Sequence, residues 1–278
     1  MKIFKNIVSI ILAFLLMASI LLTVAVQIVS STILNKDYIL GKLEEANYYN
    51  NVYEQIKDSL AGYIGPSGLD EEVLENIYTR EQVKEDINLI IDNIYENKNN
   101  EINTEEIKEK LNNNIEESVS TGLLTRENRK SIEEFTDKIA EEYVQNISHD
   151  PYFEQIGKIV NKAKDVLNNI DGIIIFVPIV IAIILLLINI KQISSGIRFL
   201  AISILASGAI GLIIEIFIKS KINISNILII NDSFSEVVKN VINNILNNIN
   251  MMSITAIVTS LVLIILTNII KVNSKTIE

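Results

Sequence analysis

Hydrophobic positions along this chain follow two patterns, unbroken runs and periodic stripes. Four runs are unbroken: Ile7 to about Leu34, Gly172 to Ile190, Ile197 to Ile218, and about Met251 to Ile270. Each is long enough to cross a hydrocarbon core about 30 Å thick, which takes roughly 20 helical residues. Stretches such as Ile173 to Phe176 and Ile183 to Ile188 are apolar around the whole helix. Such helices belong in a bilayer or in a very large core, and the rest of the chain is too small to build that core. The pattern predicts four transmembrane helices.

Between the first two runs the apolar residues recur at intervals of three and four, the helical period. Tyr49, Val52, Tyr53, Ile56, Leu60 and Tyr63 form one stripe, with Gly62, Gly65-Pro66 and Gly68 expected to break the helix. Asp70 is the expected cap of a second helix carrying Val73, Leu74 and Ile77. Thr79 with Gln82 has capping-box spacing and opens a stripe of Val83, Ile87, Ile90, Ile91, Ile94 and Tyr95. Asn103 with Glu106 marks another start, leading to Ile107, Leu111 and Ile115. After a break near Thr121-Gly122, a helix is predicted from about Thr125 to Ser148. Asp150-Pro151 then restarts the chain, because Asp caps and Pro suits the first helical position. This reading gives about five amphipathic helices and no strand signal. A further amphipathic stripe runs from Phe234 to Ile249, capped near Asp232 or Ser233 and expected to pack under the bundle.

The predicted fold is therefore all-α: four transmembrane helices with an extracytoplasmic antiparallel helical bundle. Residues 1–34 form a signal-anchor and first transmembrane helix, and 35–171 the extracytoplasmic domain. Residues 172–218 form the second and third transmembrane helices, and 219–250 an outer loop with an amphipathic helix. Residues 251–278 form the fourth transmembrane helix and a tail. Lys2, Lys5, Lys191, Arg198, Lys271 and Lys275 flank the ends assigned to the cytoplasm, as basic residues in short segments do. Lys219, Lys221 and Lys239 count against this orientation. The expected location is a multi-pass cell-membrane protein with both termini cytoplasmic.

Charge sharpens the picture. Lys36 to Asp171 holds 30 acids against 15 bases, so the formal net charge of −10 is concentrated in the outer domain. An acidic surface argues against nucleic acid as a partner, because phosphate binding needs bases. The absence of cysteine excludes disulfides and a cysteine nucleophile within these residues. The single histidine, His149, cannot supply a multi-histidine metal site. No phosphate loop, zinc-protease motif or nucleophile elbow is present. The expectation is a non-enzymatic protein without a cofactor.

Four residues stand out as functional candidates. Glu215 lies in the third apolar run, where an ionisable group is a candidate proton or cation site. It also lies four residues before Lys219, so pairing near the interface is the preferred reading. Pro178 interrupts the second run and is expected to impose a static kink. Tyr49 and Tyr53, with Tyr48 and Tyr63, can line an aromatic ligand groove, although core packing explains their positions more simply. Ser203, Ser207 and Gly211, with Ala256 and Ser260, form small-residue strips that let membrane helices approach closely.

The segment Leu34-Asn35-Lys36-Asp37-Tyr38-Ile39, followed by Tyr48-Tyr49 and Val52, resembles a pattern in uncharacterised Gram-positive membrane proteins. Those proteins combine a signal-anchor, a helical extracytoplasmic domain and further spans. The layout is also similar to the cell-division permease family related to ABC transporters, which implies a cytoplasmic ATPase partner. The link Lys191 to Gly196 is too short for the coupling helix of that family. A third similarity is to chemoreceptor sensing domains, which implies a separate signalling partner. The leading expectation is an envelope protein, held in the lipid bilayer, whose outer domain binds a protein or wall component as a scaffold or sensor. The alternative is a permease or transporter subunit.

Overall fold

The computed structural model describes residues 2–118, 126–148, 151–167, 172–222 and 232–276. Among these residues there are ten α-helices and no strand. They are α1 (Lys2–Ser31), α2 (Lys36–Glu45), α3 (Tyr48–Ser67), α4 (Arg80–Glu96), α5 (Glu105–Ser118), α6 (Arg126–Ser148), α7 (Pro151–Leu167), α8 (Phe176–Ile188), α9 (Ile193–Lys221) and α10 (Asp232–Thr276). The break expected at Thr121-Gly122, the Asp150 cap and His149 lie outside the described residues. The chain divides into two compact units. An apolar unit comprises Met1–Asn35, Ala163–Ile229 and Val238–Glu278, and a polar unit comprises Lys36–Lys162 and Ile230–Val237.

In the apolar unit three helices are long and apolar enough to cross a membrane: Ile3–Ser31, Ile190–Lys221 and Phe234–Ile269. The expected second span differs. Gly172 adopts a left-handed backbone (φ 81°), turns occupy residues 172–175, and α8 is 13 residues long. At about 1.5 Å per residue that helix rises roughly 20 Å, short of a hydrocarbon core by itself. Pro178 is the third residue of α8 rather than an interior break. First-turn amides have no intrahelical acceptor, so a proline there loses nothing and needs no kink.

The amphipathic segment and the last span, expected as separate elements meeting at Asn250 and Met251, form one 45-residue helix, α10. No Gly or Pro occurs between Asp232 and Thr276, so nothing in the backbone ends the helix where the polar face gives way to an all-apolar one.

Polar side chains in the apolar unit point inward and tie its helices together. Asn189 Nδ2 donates to Ser9 Oγ (3.0 Å), and Thr23 Oγ1 donates to the Ile174 carbonyl (3.1 Å). Ser203 Oγ donates to the Ala13 carbonyl (2.8 Å). Val26, Leu167 and Ile174 form a small apolar cluster flanked by Val29 and Leu34.

The polar unit has an ordinary apolar core. Ile56, Ile77, Val83, Ile87, Ile91, Ile107, Leu111 and Ile115, all named in the predicted stripes, are fully buried, and Ile139 and Tyr143 of α6 join them. Thr79 caps α4, its side chain accepting from the Gln82 amide at 3.1 Å. Asn103 accepts from the Glu105 amide, and α5 begins there.

Two local expectations are corrected. The α3 helix runs through Gly62, Gly65 and Pro66 and stops only at Gly68, which takes the left-handed conformation (φ 70°) of a helix C-cap. Pro66 sits in the final turn, where few backbone bonds remain to break. The helix expected after Asp70 is a four-residue 3-10 turn, Glu71–Leu74. Asn76 in the left-handed region (φ 58°) follows it, and the chain turns inward to bury Ile77 and Tyr78.

Candidate functional site

Glu215 is buried on α9 on the same face as Ser207, Gly208 and Gly211. Lys219 Nζ donates to its Oε1 at 2.6 Å, and Asn250 Nδ2 of α10 donates to its Oε2 at 2.6 Å. Both carboxylate oxygens are engaged, so the group acts as a tie between α9 and α10. The spacing to Lys219 was readable from the sequence. Asn250 was not, because its pairing is 35 residues distant.

The same seam is tight. A methyl added at Gly208 would lie 2.7 Å from the Ser253 carbonyl oxygen, and one added at Gly211 would overlap Ser253 Oγ. Beside it lies an apolar cavity of about 240 Å3, walled by α1 (Ile20 to Val29), α9 (Ser207 to Ile214) and α10 (Ile245 to Ala256). On the α8 side, Asn189 is fully buried, and its Oδ1 is the buried side-chain atom without a partner among the described residues.

The tyrosines flagged in α3 separate. Tyr48 and Tyr49 are core residues: Tyr48 packs edge-on against Tyr49, Phe153 and Phe234, and Tyr49 donates to Asn88 Oδ1 at 2.9 Å. Burial and then the Glu44 charge push the Tyr49 phenol up to about 12. Tyr63 donates to Glu142 Oε2 at 2.7 Å, while Ser59 donates to Oε1 at 2.6 Å. These bonds hold the Glu142 carboxyl below its usual range, so it is an acceptor and a poor general base. The groove imagined from Tyr48, Tyr49, Tyr53 and Tyr63 does not assemble.

Tyr53 instead meets Tyr78, a residue the stripe pattern left unremarked. Their ring centroids are 5.3 Å apart at 61°. Both line a cavity of about 610 Å3 in the polar unit. Asp70, Glu71, Glu72 and Glu75 from the 3-10 turn region form its exposed rim, with Lys57, Leu60, Ala61, Leu74 and Asn76 completing the wall. Asn114 Nδ2 donates to the carbonyls of Val73 (3.0 Å) and Glu75 (2.9 Å), which holds the rim turn against α5.

Tyr78 is 7% exposed, and its hydroxyl makes no hydrogen bond among the described residues. Its neighbour Tyr143 does: that hydroxyl donates to Asp86 Oδ2 at 2.6 Å. Burial raises the phenols of Tyr78 and Tyr143 and, more strongly than the Tyr143 bond lowers it, the Asp86 carboxyl.

This arrangement offers binding chemistry: two tyrosines in the wall, rim carboxylates that form no ion pair among the described residues, and a phenol oxygen not engaged by another described residue. Among the described residues no three His, Cys, Asp or Glu side chains converge to hold a metal ion. Comparison of the chain with protein-family models, with curated proteins and with solved structures returns no match.

Proposed function

We propose that this chain is a non-enzymatic, multi-pass protein of the cell envelope whose polar unit binds a protein or wall component outside the cytoplasm. The observation that carries this reading is the separation of two surfaces. Among the described residues, every exposed large apolar side chain except Ile159 belongs to the apolar unit. There the exposed face is Ile, Leu, Val and Phe, while Ser9, Ser19, Asn189, Ser203, Ser207 and Ser260 are buried. That is the arrangement lipid demands and water forbids. The polar unit buries its apolar stripes and presents acids, as a water-facing module does.

In this reading α8 is also a pass, the second in chain order, lengthened by the apolar turn 172–175 before it and by the 3-10 turn Ile190–Gln192 after it. The pairings of Ser9 with Asn189 and Thr23 with Ile174 support α8 running against α1. Ser59 with Asn146 and Tyr63 with Glu142 support α3 running against α6 in an antiparallel bundle. The single 3-10 turn between α8 and α9 leaves no coupling helix, which favours a binding module over a permease subunit.

The chain has no cysteine, so Asn99→Cys, on an exposed position, gives one thiol to test. An impermeant thiol reagent labels it in intact cells if the polar unit is outside. Labelling only after lysis refutes the orientation, and release of the chain by carbonate washing refutes the membrane reading.

A further inference from the structure

We infer that the Tyr53–Tyr78 cavity is a binding site for an organic ammonium ion, the head group of a polyamine or of a lysine side chain. The inference rests on the polar unit being a binding module and names the ligand class of that module.

Four observations converge. The cavity, about 610 Å3, falls in the size range of small-molecule sites. Asp70, Glu71, Glu72 and Glu75 are exposed at its rim and form no ion pair among the described residues, against one lining cation, Lys57. An unneutralised rim of one sign concentrates counter-charge at a cleft. Behind the rim, Tyr53 and Tyr78 line the wall, and aromatic rings attract cations to their faces. Tyr53 already shows this attraction, for the Arg80 guanidinium rests 5.1 Å from its ring centroid, outside the cavity wall.

The fourth observation is the Tyr78 hydroxyl. The Tyr78 side chain is more than nine-tenths buried on the cavity wall, and its hydroxyl makes no hydrogen bond among the described residues. With no protein donor bonded to it, this oxygen is free to accept from a ligand N–H. A phenol oxygen accepts, an ammonium donates three bonds, and carboxylates within reach neutralise its charge. A metal ion fits less well. Its ligands must converge on one point, and among the described residues no three acidic side chains do so.

The test is isothermal titration of the full chain in detergent with spermidine and, separately, with a blocked tri-lysine peptide, at fixed ionic strength. Binding of either probe supports the site, and the tighter of the two identifies the source. Tyr78→Phe keeps the ring and removes the hydroxyl, and should weaken binding about tenfold to a hundredfold, the effect of one hydrogen bond to a charge. Glu72→Gln with Glu75→Gln should weaken it at least as much. Thermal melts of both variants must match the parent.

Absence of binding by both probes overturns the inference. So does binding that the variants leave unchanged, or that magnesium chloride displaces no less effectively than putrescine at equal ionic strength. The titration does not depend on which side of the membrane the unit occupies. Failure here with outside labelling of Asn99→Cys intact therefore removes the ligand class and leaves the envelope reading standing.

Discussion

Gly208 is where the packing of α9 on α10 is most exposed to experiment. A Cβ at this position would meet the Ser253 carbonyl oxygen at 2.7 Å, Ile257 Cγ1 at 2.9 Å and Ala256 Cβ at 3.2 Å. Carbon atoms pack comfortably at about 3.5–4.0 Å, so relief requires a shift of roughly 0.5–1 Å. The nearest atom belongs to the backbone and cannot rotate away. Overpacking of this kind costs about 1–3 kcal/mol. Replacing Gly by Ala in a helix returns up to about 1 kcal/mol of propensity, which would mask part of the loss.

Gly211 supplies the control. A methyl there overlaps only the Ser253 hydroxyl, while Ser253 Cβ stays at an ordinary 3.4 Å. Gly211→Ala combined with Ser253→Ala therefore carries the same propensity gain without the clash. Equilibrium unfolding in mixed micelles, followed by far-ultraviolet circular dichroism, compares Gly208→Ala with that double variant after subtracting Ser253→Ala alone. Gly208→Ala should be less stable by about 1–3 kcal/mol. Adding Ser253→Ala to Gly208→Ala should not rescue it. Equal stability of the two, or rescue, would show that α9 and α10 do not approach at Gly208 and would refute the seam.

Asn250→Ala strips one partner from the buried Glu215 carboxylate and should cost about 1–3 kcal/mol in the same unfolding assay, with loss of under 0.3 kcal/mol counting against the tie. Tyr143→Phe leaves the half-buried Asp86 without its donor and should lower the thermal midpoint, whereas Asp86→Asn keeps an acceptor and should not. Asp86 is raised in the folded state, so its contribution to stability is full below the unfolded carboxylate pKa and fades as pH rises through the folded value. Asp86→Asn should accordingly gain on the parent as pH climbs to neutral. Glu142 has the opposite sign: its pKa is lowered, its contribution is full above the unfolded value and is lost as pH falls through the folded one. Glu142→Gln should flatten the acid limb of a melting-temperature profile, and an unchanged limb would show that the Ser59 and Tyr63 bonds do not matter.

Local signals survived into the structure wherever one short-range interaction decides the outcome. The Thr79–Gln82 spacing forms its cap because both groups lie within one turn, and the stripes of α4 and α5 bury the predicted faces because helical period alone selects them. Breakers were less dependable. Gly62, Gly65 and Pro66 weaken a helix without ending it when the stripe from Val52 to Ile64 is anchored in a core. Asp70 does stand at the start of a helical segment, but only of the 3-10 turn Glu71–Leu74, which gives way to a left-handed Asn76. Tyr49 and Tyr53, four residues apart, looked equivalent and are not. One packs beside Asn88, and the other opens onto a cavity shared with Tyr78.

The amino-acid order alone determined that the chain is helical, that long segments of it suit lipid, and that the acidic charge is gathered between Lys36 and Asp171. Those properties are sums over neighbouring residues: run length, period and composition need no knowledge of distant partners. The tertiary structure alone decided that Glu215 is tied to Asn250, that Pro178 falls harmlessly in a first turn, that α10 is continuous, and that Tyr53 and Tyr78 share a cavity wall. Each of these depends on which surfaces meet, and helical period shows which face is buried but not what it is buried against.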